Sequence, residues 1–432
     1  MNLLYANDAK GTYPPSYYAA TATPLDPFPV LQGATTTDIC IVGGGYMGLS
    51  AALHLAQAGH DVVLIEAHRV GFGASGRNGG QVGSGQRLDQ QSLEKMAGHQ
   101  NARRLWDLAE DAKALVKGLI AQHNMPVTFR PGIAHACWTD AEVCETHAEA
   151  DHLAQHYAYT QTAKLDQTAI RALIGSPAFK GGAIDHGAGH LHPLNFAIGL
   201  AKAAHAAGVH IHEKTEALNI RHGAKPVVLT TSGAITCNHV ILAGNGYIGL
   251  EPRYAQRVMP INNFIIATEP LGQRAKDILS QPIAVADTKF VVNYWRLSDD
   301  NRLLFGGAES YGYRFPDIIK AVSKPMLEIY PQLRETKIDY AWGGTLAITM
   351  NRMPALMRLA PNVLAASACS GHGVAMATLT GRILAEATHS QSASFDLLST
   401  LPQARFPGGA PLRWPLLVLA MTWYSMRDRL GL

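Results

Sequence analysis

Gly43, Gly45 and Gly48 stand in GxGxxG spacing, after the apolar run Asp38 to Val42 and before a segment with Leu49, Ala52, Leu53 and Ala56 at three-and-four spacing. Between a strand and a helix each glycine has its own task. The first permits the tight turn, the second lets a pyrophosphate approach the backbone, and the third lets helix and strand pack closely. The positive end of the helix then faces the phosphates. Gly59 is placed to end that helix, and a second buried strand, Asp61 to Ile65, delivers Glu66 18 positions after Gly48. There a carboxylate can accept hydrogen bonds from ribose hydroxyls. A glycine-rich turn that binds nothing is the competing reading, and the acidic residue at the end of the second strand favours a dinucleotide.

NAD and FAD share this fingerprint, so the rest of the chain has to separate them. Between Gly71 and Gly85 seven of fifteen residues are glycine, which no helix or strand tolerates cheaply. The loop Gly73, Ala74, Ser75, Gly76, Arg77, Asn78, Gly79, Gly80, Gln81 offers hydroxyl, amide and bare backbone groups that could follow an extended cofactor. Ser370, Gly371, His372 and Gly373 open a late helix whose positive end could stabilise the charge that gathers on a reduced flavin ring. Outside Gly43 to Gly48 no GxGxxG stands between an apolar strand and a segment with helical three-and-four apolar spacing, as a second nucleotide would require. One flavin, reduced directly by an organic substrate, fits best.

The elements that must position these residues alternate between two kinds. A long helical pattern covers Leu93 to His123, a strand pair Val127 to Trp138 around Pro131 and Gly132, and a helix Pro193 to Ala207. Strands follow at Val209 to His212, Ala217 to Ile220 and His239 to Ala243, the last stopping at Gly244. From Phe290 to Gly307 the alternation Val292, Tyr294, Arg296, then Arg302, Leu304 predicts an antiparallel hairpin turning at Ser298 to Asn301. A last strand, Val363 to Ser367, feeds a helix from about Val374 to Ala387. The expected fold is α/β: a Rossmann-like FAD-binding domain (30–90, 145–255, 340–400) interleaved with an α+β substrate domain on an antiparallel sheet (91–144, 256–339). Residues 1–29 form an arm and 401–432 a C-terminal extension.

Composition narrows the function classes. The 432 residues are 47% hydrophobic with a formal charge of only +3 and no long basic block, which argues against a nucleic-acid partner. Cys40, Cys137, Cys144, Cys237 and Cys369 are odd in number and far apart, and His210 and His212 alternate as on one strand face. Neither a disulfide framework nor a metal site is indicated. The opening residues lack a secretory pattern, so the cytoplasm is the default. The apolar run Trp414 to Tyr424 would span about 16 Å as a helix against a hydrocarbon core of about 30 Å, too short to cross a bilayer alone.

These motifs carry a resemblance. GGGYMGLSAALHLAQAGHDVVLIEA followed by RVGFGASGRNGGQ resembles the D-amino-acid-oxidase-like flavoproteins, in particular those that oxidise gamma-glutamylputrescine. The likeness continues through GHLHPLN at Gly189 to Asn195, YWRLSDDNRLLFGG at Tyr294 to Gly307, SGHGV at Ser370 to Val374, and RFPGGAPLRWP with YSMRDRLGL near the end. It implies FAD bound by Gly43, Gly45, Gly48 and Glu66, with Ser75, Asn78 and Gly80 along the cofactor. It also implies Gly371 to Val374 beside the ring and Ala217 offering backbone groups to the adenine. Tyr46, Met47, Ala67, Arg69, Arg77, Gly79, Gln81, Ala243, Gly244 and Ser370 complete the expected contacts. Two departures stand out: Trp342 to Thr345 lacks the cysteine that holds flavin covalently in some sarcosine oxidases, and Asn301 to Gly307 lacks a lysine over the ring. A non-covalent cofactor is therefore expected, with His372 near the ring instead.

The implied chemistry is oxidation of a neutral primary amine at the end of a gamma-glutamylated polyamine, giving an aldehyde, ammonia and, with molecular oxygen, hydrogen peroxide. Tyr294, Trp295 and His372 are the expected catalytic-site residues, though strand alternation turns only one of the two aromatics toward the flavin. Arg77, Arg296 and Arg302 are candidates to receive a glutamyl carboxylate. The alternatives are an amino-acid or sarcosine-type oxidase, a membrane-associated dehydrogenase passing electrons to quinone, and a flavin-binding scaffold without turnover. The sequence does not set the oligomeric state.

Overall fold

The apolar residues after Asp38 belong to a longer strand, Gly33–Val42, at the centre of the first of two sheets in a computed structural model. It describes residues 2–407 except 248, 368, 390 and 391. The sheet runs Ala355–Ala360, Val363–Ser367, Gly233–Leu242, Gly33–Val42, Val62–Ile65, His210–His212, and the last five strands are parallel. Successive residues of these strands enter different cores, as the pleat requires. Ile39, Ile41, Leu64 and Ile241 face the helices Tyr46–Gln57, Pro193–Ala206 and Gly373–His389. Cys40, Val63, Ile65 and Val240 face the strands Ala217–Arg221 and Val227–Thr230.

The second sheet has nine strands. Its path is Ile338–Ile348, Met259–Thr268, Leu303–Ser310, Tyr294–Leu297, Ala284–Asp287, Arg130–Cys137, Gly181–His190, Gln81–Val82, with Thr162–Leu165 beside Gly181–His190. All neighbours are antiparallel except Ala284–Asp287 with Arg130–Cys137. Trp295, Phe179, Phe305 and Tyr330 pack together on one face, closed by the helices Gln167–Ile174 and Ile318–Ile329.

The fold class read from the sequence holds, and the hairpin turns where expected, with Ser298 N donating to Arg302 O at 2.9 Å. Several elements differ from expectation. Thr162–Leu165, Gly181–His190 and Ile338–Ile348 pair in the second sheet although their segments were grouped with the nucleotide sheet. Gly181–His190 holds four glycines and no steady alternation, so pairing rather than propensity makes it a strand. Conversely, His99–Gln122 was grouped with the substrate domain but buries Leu105, Ala109 and Val116 in the core of the nucleotide sheet. The long helical pattern is two helices, Gln90–Ala97 and His99–Gln122, separated at Gly98. Val127 to Trp138 is one strand, Arg130–Cys137, whose register shifts between Pro131 and Ile133, rather than a pair. The run Trp414 to Tyr424 lies outside the described residues. Among those described, no helix is long and apolar enough to cross a membrane.

Candidate active site

A cavity of about 850 Å³ lies where the carboxyl ends of the parallel strands meet the second sheet. Its volume is within the range of cofactor and ligand pockets. Gly43 turns the chain out of its strand with φ +115°, a conformation that favours glycine, and its amide donates to Ile65 O at 2.9 Å. Gly48 lies one helical turn on, where a Cβ would come within 1.9 Å of Gly43 O. Helix and turn therefore touch backbone to backbone, and the helix start lines the cavity at Gly45, Tyr46 and Met47.

Glu66 ends the second strand. Its carboxylate accepts from Gly44 N at 2.7 Å and His68 N at 2.9 Å, and burial pushes its pKa up to about 6 despite those bonds. The glycine-rich loop is fixed by two side chains. Ser75 Oγ accepts from Tyr46 N at 3.0 Å, and Asn78 Nδ2 donates to Ala74 O and Ser75 O at 3.0 Å while its Oδ1 accepts from Gly80 N at 2.7 Å. This leaves the loop's face toward the cavity lined by Ser75, Arg77, Asn78, Gly79 and Gln81.

Ala67, Ala217, Ala243, Gly244, Ser370, Gly371, His372, Gly373 and Val374, all expected along the cofactor, also line the cavity. Three expected contacts do not. Gly48 and Gly80 serve close backbone approach behind the lining, Gly80 against Leu191 O. Arg69 points away, paired with Glu213 at 2.7 Å and donating to Leu25 O in the arm.

Of the aromatic pair, Tyr294 reaches the cavity and Trp295 does not. Tyr294 donates its hydroxyl to Asn263 Oδ1, and its ring lies against Gly79 and Gly306, where side chains would collide with it. Trp295 is 1% exposed, stacked between Phe179 and Phe305. Strand alternation separates them. His372 lies beside Gly83, burial and the Arg87 charge pull its pKa down to about 4, and among the described residues its buried Nε2 has no hydrogen-bond partner.

The three arginines put forward for a carboxylate are engaged elsewhere. Arg77 donates to Asp8 Oδ2, Phe72 O and Gly343 O, Arg296 to Gly79 O, Tyr18 Oη and Leu191 O, and Arg302 pairs with Asp300 and Asp339. Sequence reasoning missed Arg87, Glu309 and Arg352, and also Asn2, Leu3 and Leu4 of the arm, all in the lining. Only Arg87 carried a signal, since it lies two residues after the glycine-rich loop.

A long cavity with a glycine turn at a helix start, an acidic strand end, and a second helix start at Gly373 defines a dinucleotide-dependent oxidoreductase. The FAD dependent oxidoreductase family profile matches residues 38–387, and the chain belongs to that family. It is 40% identical over 96% of its length to gamma-glutamylputrescine oxidoreductase of Escherichia coli (strain K12), covering 98% of that protein. It is 42% identical, over 96% of its length and 97% of the relative, to the probable oxidoreductase OrdL of Rhizobium meliloti (strain 1021). Glycine oxidase from Geobacillus kaustophilus superposes with TM-score 0.71 at 20% identity, over 85% of this chain and 99% of that one, a likeness of fold. The cofactor is FAD, and the chain is an FAD-dependent amine oxidoreductase. The residues present fit it: a glycine turn at a helix start and the Glu66 carboxylate at a strand end both line a cavity of suitable size, and among the described residues His372 Nε2 is left without a partner there.

Proposed function

We propose that this protein oxidises the terminal primary amine of a gamma-glutamylated polyamine, of the gamma-glutamylputrescine kind. The amine and water become an aldehyde and ammonia, and molecular oxygen leaves as hydrogen peroxide. The observation that carries this reading is the 40% identity to the Escherichia coli gamma-glutamylputrescine oxidoreductase across nearly the full length of both chains. Bound FAD supplies the acceptor for the hydride, so no separate catalytic base is required.

The chain's residues bind, orient and exclude water. Gly45 and the start of the helix behind it hold the diphosphate, and Glu66 holds the ribose. The amine has to be neutral for its lone pair to assist, and a desolvated pocket lowers an ammonium's pKa. Tyr294 forms part of that wall, and His372 stays uncharged above about pH 4, adding an imidazole rather than a cation. Cys369 is the one cysteine among the described residues lining the cavity, and burial pushes its thiol up to about 12. A protonated thiol is a poor nucleophile, which supports a cofactor held without a covalent bond.

The test is anaerobic mixing of purified yellow protein with gamma-glutamylputrescine, putrescine, glycine and sarcosine, followed by admission of air. Gamma-glutamylputrescine should bleach the flavin fastest, and air should restore the colour with one peroxide per turnover. Bleaching by glycine or sarcosine alone would overturn the substrate class, and recovery only with an added quinone would overturn oxygen as acceptor.

A further inference from the structure

The cavity holds more positive charge than the fold uses. Most of its ionisable groups already have partners. Arg77 has Asp8 and two carbonyls, Glu66 has the Gly44 and His68 amides, and Glu216 accepts from Tyr5 Oη. Asp287 accepts from Trp138 Nε1 at 2.9 Å and from Asn293 N and Nδ2 at 2.8 and 2.7 Å. Arg87 and Arg352 remain. Among the described residues neither guanidinium is in an ion pair or a hydrogen bond, and Arg352 lies over the Phe290 ring at 5.4 Å.

One carboxylate of the lining faces them. Glu309, on the strand beside Asn263, accepts a hydrogen bond from Tyr311 Oη at 3.0 Å. The three groups feel one another: burial, with Arg352 added, lowers the Arg87 pKa while Glu309 opposes this, and burial raises the Glu309 pKa while the Tyr311 hydrogen bond and both arginines oppose it, so that the buried charges await a counter-charge. Arg87 leaves the loop four residues after Gly83, which touches the His372 imidazole, so the cluster is on the His372 side of the cavity. Arg352 holds φ +62°, unusual for a side-chain-bearing residue. Its turn is locked by Thr349 Oγ1 donating to Met353 O at 2.7 Å and Met353 N donating to Asn351 Oδ1 at 3.1 Å. The backbone that carries Arg352 is thus fixed, and its guanidinium lines the same cavity as that of Arg87 and opposes its charge, an arrangement that an anion would relieve.

We propose that Arg87, Arg352 and Glu309 form the subsite for the α-amino-acid head of the substrate, the two guanidiniums taking its carboxylate and Glu309 its ammonium. The proposal rests on the gamma-glutamyl reading of the substrate and gives it a physical reason. A free diamine would carry its distal ammonium toward two guanidiniums and be rejected, whereas a glutamyl head gives every charge an opposite one.

Three substrates separate the contacts: gamma-glutamylputrescine, N-(4-aminobutanoyl)putrescine, which lacks the carboxylate, and N-glutarylputrescine, which lacks the ammonium. The holoenzyme should prefer the first by about 10- to 100-fold in kcat/KM over either of the others. Arg87→Gln and Arg352→Gln should raise KM by a similar factor for the two carboxylate-bearing substrates, leave kcat nearly unchanged, and leave the aminobutanoyl compound within about threefold. Arg87→Lys should recover part of the loss, and Glu309→Gln should erase the preference for glutamyl over glutaryl. Variants that weaken all three substrates equally, or that emerge without FAD, would overturn the subsite. Gamma-glutamylbutylamide, which has no oxidisable terminal amine, reports binding alone through the flavin absorbance. If it binds in an arginine-dependent way while gamma-glutamylputrescine is not turned over, the substrate reading falls and the subsite stands. If the natural chain and the arginine variants turn over gamma-glutamylputrescine alike, the subsite falls and the substrate reading stands.

Discussion

The two ends of the cavity are built from different materials. At the nucleotide end the lining is largely backbone: Gly43, Gly45 and a helix start, with the Glu66 carboxylate at a strand end and Glu216 nearby under Tyr5. At the other end it is side chains, Tyr294, Arg87, Glu309 and Arg352, drawn from a loop, two strands and a turn far apart in the chain. A backbone cradle accepts any ligand with the same diphosphate, while side chains can be exchanged singly to select another amine. On the proposed reading, the difference separates a fixed cofactor from an adjustable substrate within one space.

Three substitutions test that division, beginning with the one that lies in neither end. Trp295→Ala should cost about 3–5 kcal/mol of stability, the usual result of emptying a packed aromatic site, while the flavin spectrum and KM stay as they were. A changed flavin spectrum would return Trp295 to the active site. Gly48→Ala places a methyl 1.9 Å from Gly43 O, and should cost about 3 kcal/mol and yield colourless protein. A yellow, active variant would show that the cradle tolerates displacement.

Glu66→Gln is the mildest of the three. Loss of a charge-assisted contact to ribose should weaken FAD by about 1.5–3 kcal/mol, read as an increased Kd on reconstitution of the apoprotein. Its pH dependence has a definite sign. The Glu66 pKa of about 6 in the folded chain lies above the ordinary 4.5, so protonation favours folding, and this contribution is complete below about 4.5 and lost as pH rises through about 6. The Tm of the apoprotein variant should therefore gain on that of the natural chain across this window. A constant difference would mean that Glu66 is solvated and paired in the absence of cofactor.

The nucleotide end was legible in the sequence because its requirements are local. A turn that needs glycine, a helix directly after it and an acidic residue one strand later all fall within Gly43 to Glu66. The Tyr294 hairpin was legible for the same reason, its alternation and turn being contiguous. The cluster of Arg87, Arg352 and Glu309 was not, because Glu309 joins the two arginines only through long-range packing, and each alone reads as a solvated charge. Arg77, Arg296 and Arg302 drew attention by lying in recognisable motifs, yet carbonyls and aspartates claim them. Gly181–His190 escaped as a strand because its glycines carry no period.

The arm has a thermodynamic consequence. Leu4 O pairs with His68 Nε2 at 2.8 Å, Tyr5 Oη with Glu216 and Asp8 with Arg77, while Asn2 to Leu4 face the cavity directly. A molecule lodged there and the docked arm touch, so whatever free energy one lends the other is returned in equal measure. Saturating the pocket should shield residues 2–22 from proteolysis, and clipping them should loosen the occupant by the same factor.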